Sequence, residues 1–74
     1  MRKKVQRSYV QHKLDGTLYA IETDGDSILK AAGPLQSRDC TRANLDRWAF
    51  KHDQQLAGDI SVRLYMFVSY EGEA

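Results

Sequence analysis

Three features of the sequence predict an α+β domain built on a mostly antiparallel sheet. Two turn signals, Asp15-Gly16 and Asp24-Gly25-Asp26, separate short β-favouring segments, as hairpin connections do. One stretch after Pro34 carries apolar residues at helical spacing, and the segment 60–70 alternates strictly from one side-chain set to the other, the period of a strand. Together these predict a two-layer sandwich in β-β-β-α-β order, a four-stranded sheet with one helix on one face.

Strand one is predicted within Val5 to Leu14, where Val5, Tyr9 and Val10 sit among polar residues. Asp15-Gly16 can supply the positive φ angles of a two-residue type I′ turn, so strand two follows directly. Thr17 to Thr23 is that strand, with Leu18 and Ala20 on one face and Tyr19 and Ile21 on the other. Ser27 to Ala32 is the third, and Gly33-Pro34 ends it because proline has no N–H for the ladder. Beyond Pro34, Ser37 or Asp39 can cap a helix whose stripe is Thr41, Leu45, Trp48, Ala49, His52 and Leu56. Gly58 is placed to close it between Leu56 and Gly58. The last strand, Ile60 to Tyr70, puts Val62, Leu64, Met66 and Val68 on one side and Arg63, Tyr65, Phe67 and Ser69 on the other. Large groups on both sides suit a central position, next to strand one or strand three.

The 74 residues, 42% apolar and 28% charged, make one small domain spanning 1–74, with a thin core for which self-association would be a help. A lone Cys40 allows no internal disulfide, which favours the cytoplasm. The basic start Arg2-Lys3-Lys4 runs into Gln6, Arg7 and Ser8 rather than the apolar core of a signal peptide. The longest apolar run, Leu64 to Val68, is far short of the roughly 18 residues that span a membrane.

A net charge of +1 hides segregation. Residues 1–14 carry +5 (Arg2, Lys3, Lys4, Arg7, Lys13), and 15–27 carry −4 (Asp15, Glu22, Asp24, Asp26). Adjacent strands of opposite charge can complement each other across the ladder.

The candidate sites follow from this layout. One helix leaves one sheet face uncovered, and Tyr65, Phe67 and Tyr19 are placed on that face as an aromatic contact surface suited to a twofold homodimer or another protein partner. Phe50 lies about 140° around the helix from Leu45 and becomes a further partner-binding residue. The alternative is a nucleic-acid-binding accessory protein using Arg2, Lys3, Lys4 and Arg7 on phosphates and Tyr9 or Tyr65 for base stacking. The balanced charge and the absence of an RNP-like Gly-aromatic run weigh against it.

His12, His52 and Cys40 stand singly, without zinc spacing. The Asp24-Gly25-Asp26 turn lacks the twelve-residue calcium pattern. No phosphate loop, nucleophile elbow or dinucleotide fingerprint occurs. No metal, cofactor, membrane or enzymatic activity is therefore expected. The expected function is that of a small cytoplasmic binding or regulatory module of bacterial or phage accessory type.

Overall fold

The computed structural model of the chain describes residues 5–24 and 28–68. Its strands are β1 (Val5–His12), β2 (Leu18–Asp24), β3 (Ile28–Leu35), β4 (Lys51–His52) and β5 (Tyr65–Val68), with one α-helix, α1 (Gln54–Ser61), between β4 and β5. The sheet order is β4-β3-β2-β1-β5, and each neighbouring pair is antiparallel. The expected α+β class and antiparallel sheet hold, but the sheet has five strands rather than four.

The first hairpin is longer than expected. His12 N–H bonds to Thr17 O at 2.8 Å, so four residues, Lys13 to Gly16, form the loop instead of the two of a type I′ turn. Gly16 has the positive φ of 78°, as its lack of a Cβ allows. The Asp15 carboxylate accepts from Thr17 N–H at 2.9 Å and His12 Nδ1 from Leu14 N–H at 3.1 Å. These bonds stabilise the wider loop.

β3 does not stop before Gly33-Pro34 but runs through it to Leu35. The register with β2 shifts by one residue there, from Ala20↔Ala32 to Leu18↔Leu35. A bulge is where a strand tolerates proline, and β4 pairs with β3 only at Lys30 and Ala31. Gly33 has φ 147°, and a Cβ on it would come within 2.7 Å of the Tyr19 ring. Only glycine fits that approach.

The long helix after Pro34 is the main correction. A single 3₁₀ turn covers Ser37–Asp39, and residues 42–47 form successive turns. Their bonds reach back three residues, as in Leu45 N–H to Arg42 O. The polar side chains compete for the backbone: Thr41 Oγ1 accepts from Asn44 N–H, and Asn44 Nδ2 donates to Asp39 O. Leu45, Trp48 and Phe50 all join one core cluster, which a straight helix cannot achieve for residues 140° apart. Phe50 therefore turns inward.

α1 starts later, where the Asp53 carboxylate caps it by accepting from Leu56 N–H at 2.9 Å. Gly58 lies inside it. The chain leaves α1 through Arg63, at φ 66°, with Leu64 N–H bonded to Asp59 O and Arg63 N–H to Ile60 O. This is a Schellman closure with arginine in the left-handed position. It holds Ile60 to Ser61 in the helix and delays the last strand to Tyr65.

Two clusters fill the two faces of the sheet. Tyr9, Leu18, Ala20, Cys40 and Leu45 pack on one, joined by Trp48, Phe50 and Val68. Val10, Ile21, Leu29, Ala31 and Leu56 pack on the other, with Tyr19, Ala57, Ile60 and Tyr65. The irregular segment 36–50 covers the first face and α1 the second, so the expected bare face is absent and the two-layer picture becomes three layers. Trp48 and Leu45 lie across the sheet from Leu56, not beside it.

The segregated charge is used as expected. Arg7 stands opposite Glu22 in the β1–β2 ladder and binds it at 2.7 Å. Lys30 approaches Glu22 from β3 at 3.9 Å, and Arg7 also reaches Asp46 at 2.6 Å. No helix among the described residues is long and apolar enough to cross a membrane.

Candidate contact surfaces

The residues expected to form one aromatic surface divide between several environments. Tyr19 and Tyr65 face α1, their rings 5.9 Å apart and inclined by 75°. His12 packs edge-on against Tyr65 at 4.8 Å. Phe50 is half-buried in the other cluster, with the Arg7 guanidinium 5.2 Å from its ring centroid. That placement removes Phe50 from an outer contact surface and explains its position by packing and a cation–π contact. Phe67 alone of the four is largely open, 69% exposed.

Phe67 belongs to an edge. β5 pairs with β1 and is the terminal strand of the sheet among the described residues. The expectation of a central strand is thus corrected: one side of the β5 backbone has no ladder partner there. Lys13 N–H bonds to Leu64 O at 2.8 Å, and the register continues as His12↔Tyr65, Gln11↔Met66, Val10↔Phe67 and Tyr9↔Val68. In an antiparallel ladder, hydrogen-bonded and non-hydrogen-bonded pairs alternate. Met66 and Val68 therefore bond towards β1, while the N–H and C=O groups of Tyr65 and Phe67 point outward.

Sheet edges are usually guarded by lysine, proline, a bulge or extreme shortness. The opposite edge, β4, is two residues long and begins with Lys51. β5 reads Tyr-Met-Phe-Val and has no such guard within it. Met66 is 48% exposed, and Val62, in the turn leading into the strand, 66%. The unbroken alternation from Ile60 predicts Val62 and Met66 on one side of a single strand, but the strand starts only at Tyr65 and leaves Val62 in the turn before it.

Beside this edge, a hollow of about 250 Å³ opens between sheet and helix, lined by Tyr19, Asp53, Gln55, Leu56, Asp59 and Tyr65. Burial, then the neighbouring Tyr19 and Asp59, push the Tyr65 hydroxyl above the ordinary tyrosine range. Asp53 and Asp59 were not singled out from the sequence; the Asp53 cap emerges only once α1 is seen to begin at Gln54.

Of the N-terminal residues expected to meet nucleic acid, Arg7 and Tyr9 fall among the described ones. Tyr9 is 0% exposed; its hydroxyl donates to Thr41 O at 2.6 Å and accepts from Trp48 Nε1 at 3.0 Å. It cannot stack on a base, which corrects that assignment. Arg7 is engaged by Glu22, Asp46 and Phe50. Arg2, Lys3 and Lys4 lie outside the described residues.

Cys40 is buried, its Sγ 3.5 Å from Gln36 O, and burial followed by Asp39 raises its thiol pKa. It packs on the sheet face opposite His12, so the sheet lies between the two side chains. Comparisons with protein-family models, curated proteins and solved structures find no match for this chain.

Proposed function

We propose that this chain is a small, non-catalytic binding module that acts through protein-protein contacts and pairs with a second copy along β5. The observation that carries this reading is the unguarded edge, with outward backbone groups at Tyr65 and Phe67 and an exposed Phe67 side chain. Edge strands with free backbone groups are the usual site of strand addition. A second copy suits the edge because β5 is self-complementary about a twofold through Met66. Tyr65 of one copy then stands opposite Phe67 of the other, and both outward-facing residues exchange their N–H and C=O bonds with the neighbouring chain. The same register brings a tyrosine and a phenylalanine together as a cross-strand aromatic pair. Four-residue strands bury little area, which puts the pairing among weak, concentration-dependent contacts.

Light scattering over a range of concentration and salt tests this. The native chain is expected to move from monomer to dimer mass as concentration rises, with little change on adding salt or a single-stranded oligonucleotide. Phe67→Asp, which alters an exposed side chain, is expected to stay monomeric with an unchanged far-ultraviolet spectrum. A native chain that remains monomeric throughout, or a Phe67→Asp variant that dimerises equally well, overturns the reading.

A further inference from the structure

We propose that His12 is a pH-sensitive latch on the loop 13–16: its neutral ring holds the Leu14 and Asp15 amides, and its protonation releases them. The device does not depend on pairing along β5.

The loop is held by hydrogen bonds rather than by packing. Lys13, Leu14, Asp15 and Gly16 are all exposed, and Leu14, the apolar one among them, is 83% exposed. Its order therefore comes from polar contacts. His12 Nδ1 accepts from Leu14 N–H at 3.1 Å and from Asp15 N–H at 3.4 Å. The Asp15 carboxylate accepts from Thr17 N–H, and Gly16 N–H bonds to His12 O. Two successive amides of the loop thus end on one ring nitrogen.

The chemistry of that nitrogen makes the arrangement conditional. A ring nitrogen accepts only while it carries no proton, so these bonds require the neutral tautomer with its proton on Nε2. In imidazolium both nitrogens are donors, and Nδ1–H would then face two N–H groups. The loop has to move. The new donor has a partner within reach, because Asp15 Oδ1 lies 3.5 Å from Nδ1. The bond from Thr17 N–H, then the Thr17 hydroxyl, hold the Asp15 carboxyl below the usual carboxylate range, so it is ionised wherever an imidazole ordinarily titrates. Protonation exchanges two amide bonds for one ion pair within the same loop.

The other groups around the ring keep their charge state through this change. Tyr65 of β5 meets His12 edge-on at 4.8 Å, and burial, then Tyr19 and Asp59, raise its hydroxyl above the tyrosine range, so it stays neutral. Tyr65 in turn meets Tyr19 of β2 and lines the hollow with Asp53 and Asp59. Lys13 and Arg63 are exposed cations beside the bond from Lys13 N–H to Leu64 O. That bond joins the loop to the residue before β5, so the release is felt at the start of the edge strand.

An NMR titration of the native chain from about pH 8 to about pH 5 tests the latch, reading ring nitrogens and backbone amides together. At the alkaline end the His12 ring is expected to carry its proton on Nε2. On acidification the Leu14 and Asp15 amide protons are expected to move upfield with one midpoint, shared with the His12 ring carbons, while Val10 and Ile21 in the sheet stay fixed. His12→Asn offers an oxygen acceptor that does not titrate in this range, and is expected to leave both amides flat. His52→Asn, on β4 at the opposite edge of the sheet, is expected to leave the native curve unchanged. A neutral ring protonated on Nδ1, loop amides that do not follow the His12 ring, Val10 and Ile21 signals that shift with the loop, or the native movement persisting in folded His12→Asn overturns the proposal. If His12→Asn fails to fold, the native tautomer and the shared midpoint decide it.

Discussion

Replacing Tyr9 by phenylalanine removes one oxygen from the centre of the molecule and tests how segment 36–50 is held to the sheet. Among the described residues the hydroxyl bonds to Thr41 O at 2.6 Å and from Trp48 Nε1 at 3.0 Å, both in that segment. Each such bond contributes about 0.5–1.5 kcal/mol net, and an orphaned buried partner costs more. Thr41 and Trp48 are only partly buried, so water can satisfy some of what is lost. The expected destabilisation is about 2 kcal/mol, or roughly 10 °C in Tm for a domain of this size. Trp48 is the single tryptophan, so its fluorescence follows urea unfolding directly. Combining Tyr9→Phe with Trp48→Phe, with all four proteins of the cycle followed by far-ultraviolet circular dichroism, isolates the shared bond, with a coupling of about 1 kcal/mol. A loss below about 0.5 kcal/mol for Tyr9→Phe, or no coupling, would refute the packing of 36–50 on this face.

Three further outcomes follow from the backbone and the buried thiol. Gly33→Ala combines a φ of 147° with a Cβ 2.7 Å from the Tyr19 ring; chemical denaturation should show a loss of roughly 2–4 kcal/mol. Arg63→Gly relieves a left-handed φ of 66° and should raise stability by roughly 0.5–1 kcal/mol in the same assay. The Cys40 thiol pKa is raised by burial and by Asp39. Its neutral form thus favours the folded state below the ordinary thiol range, and that contribution is lost as pH rises through the raised value. Cys40→Ala should flatten the alkaline fall in stability, and native Cys40 should react with a thiol reagent only on unfolding.

Elements marked by a strong local rule were legible in the sequence. The β1–β2 hairpin, the alternation at Tyr65 to Val68 and the pairing of basic with acidic strands all rest on nearest-neighbour patterns. The stripe from Thr41 to Leu56 misled because helical spacing also arises when a turn-rich segment lays Leu45, Trp48 and Phe50 on a sheet. The cue was Phe50 itself, which fits no face of a single straight helix containing Leu45. Arg63 hid the end of α1, because a left-handed closure is normally signalled by glycine and Gly58 offered a false one. That error extended the last strand back to Ile60 and concealed the edge. Asp53 and Asp59 reach one hollow only because α1 is short and begins after β4, a tertiary fact that no local pattern carries.

Amide hydrogen exchange in β5, measured for dilute and concentrated protein, tests the edge most directly. Met66 and Val68, which bond to β1, should be protected at every concentration. Tyr65 and Phe67, pointing outward, should exchange freely when dilute and gain protection together as the dimer forms. Tyr65 and Phe67 amides that exchange equally fast at all concentrations, while Met66 and Val68 stay protected, would contradict pairing along β5.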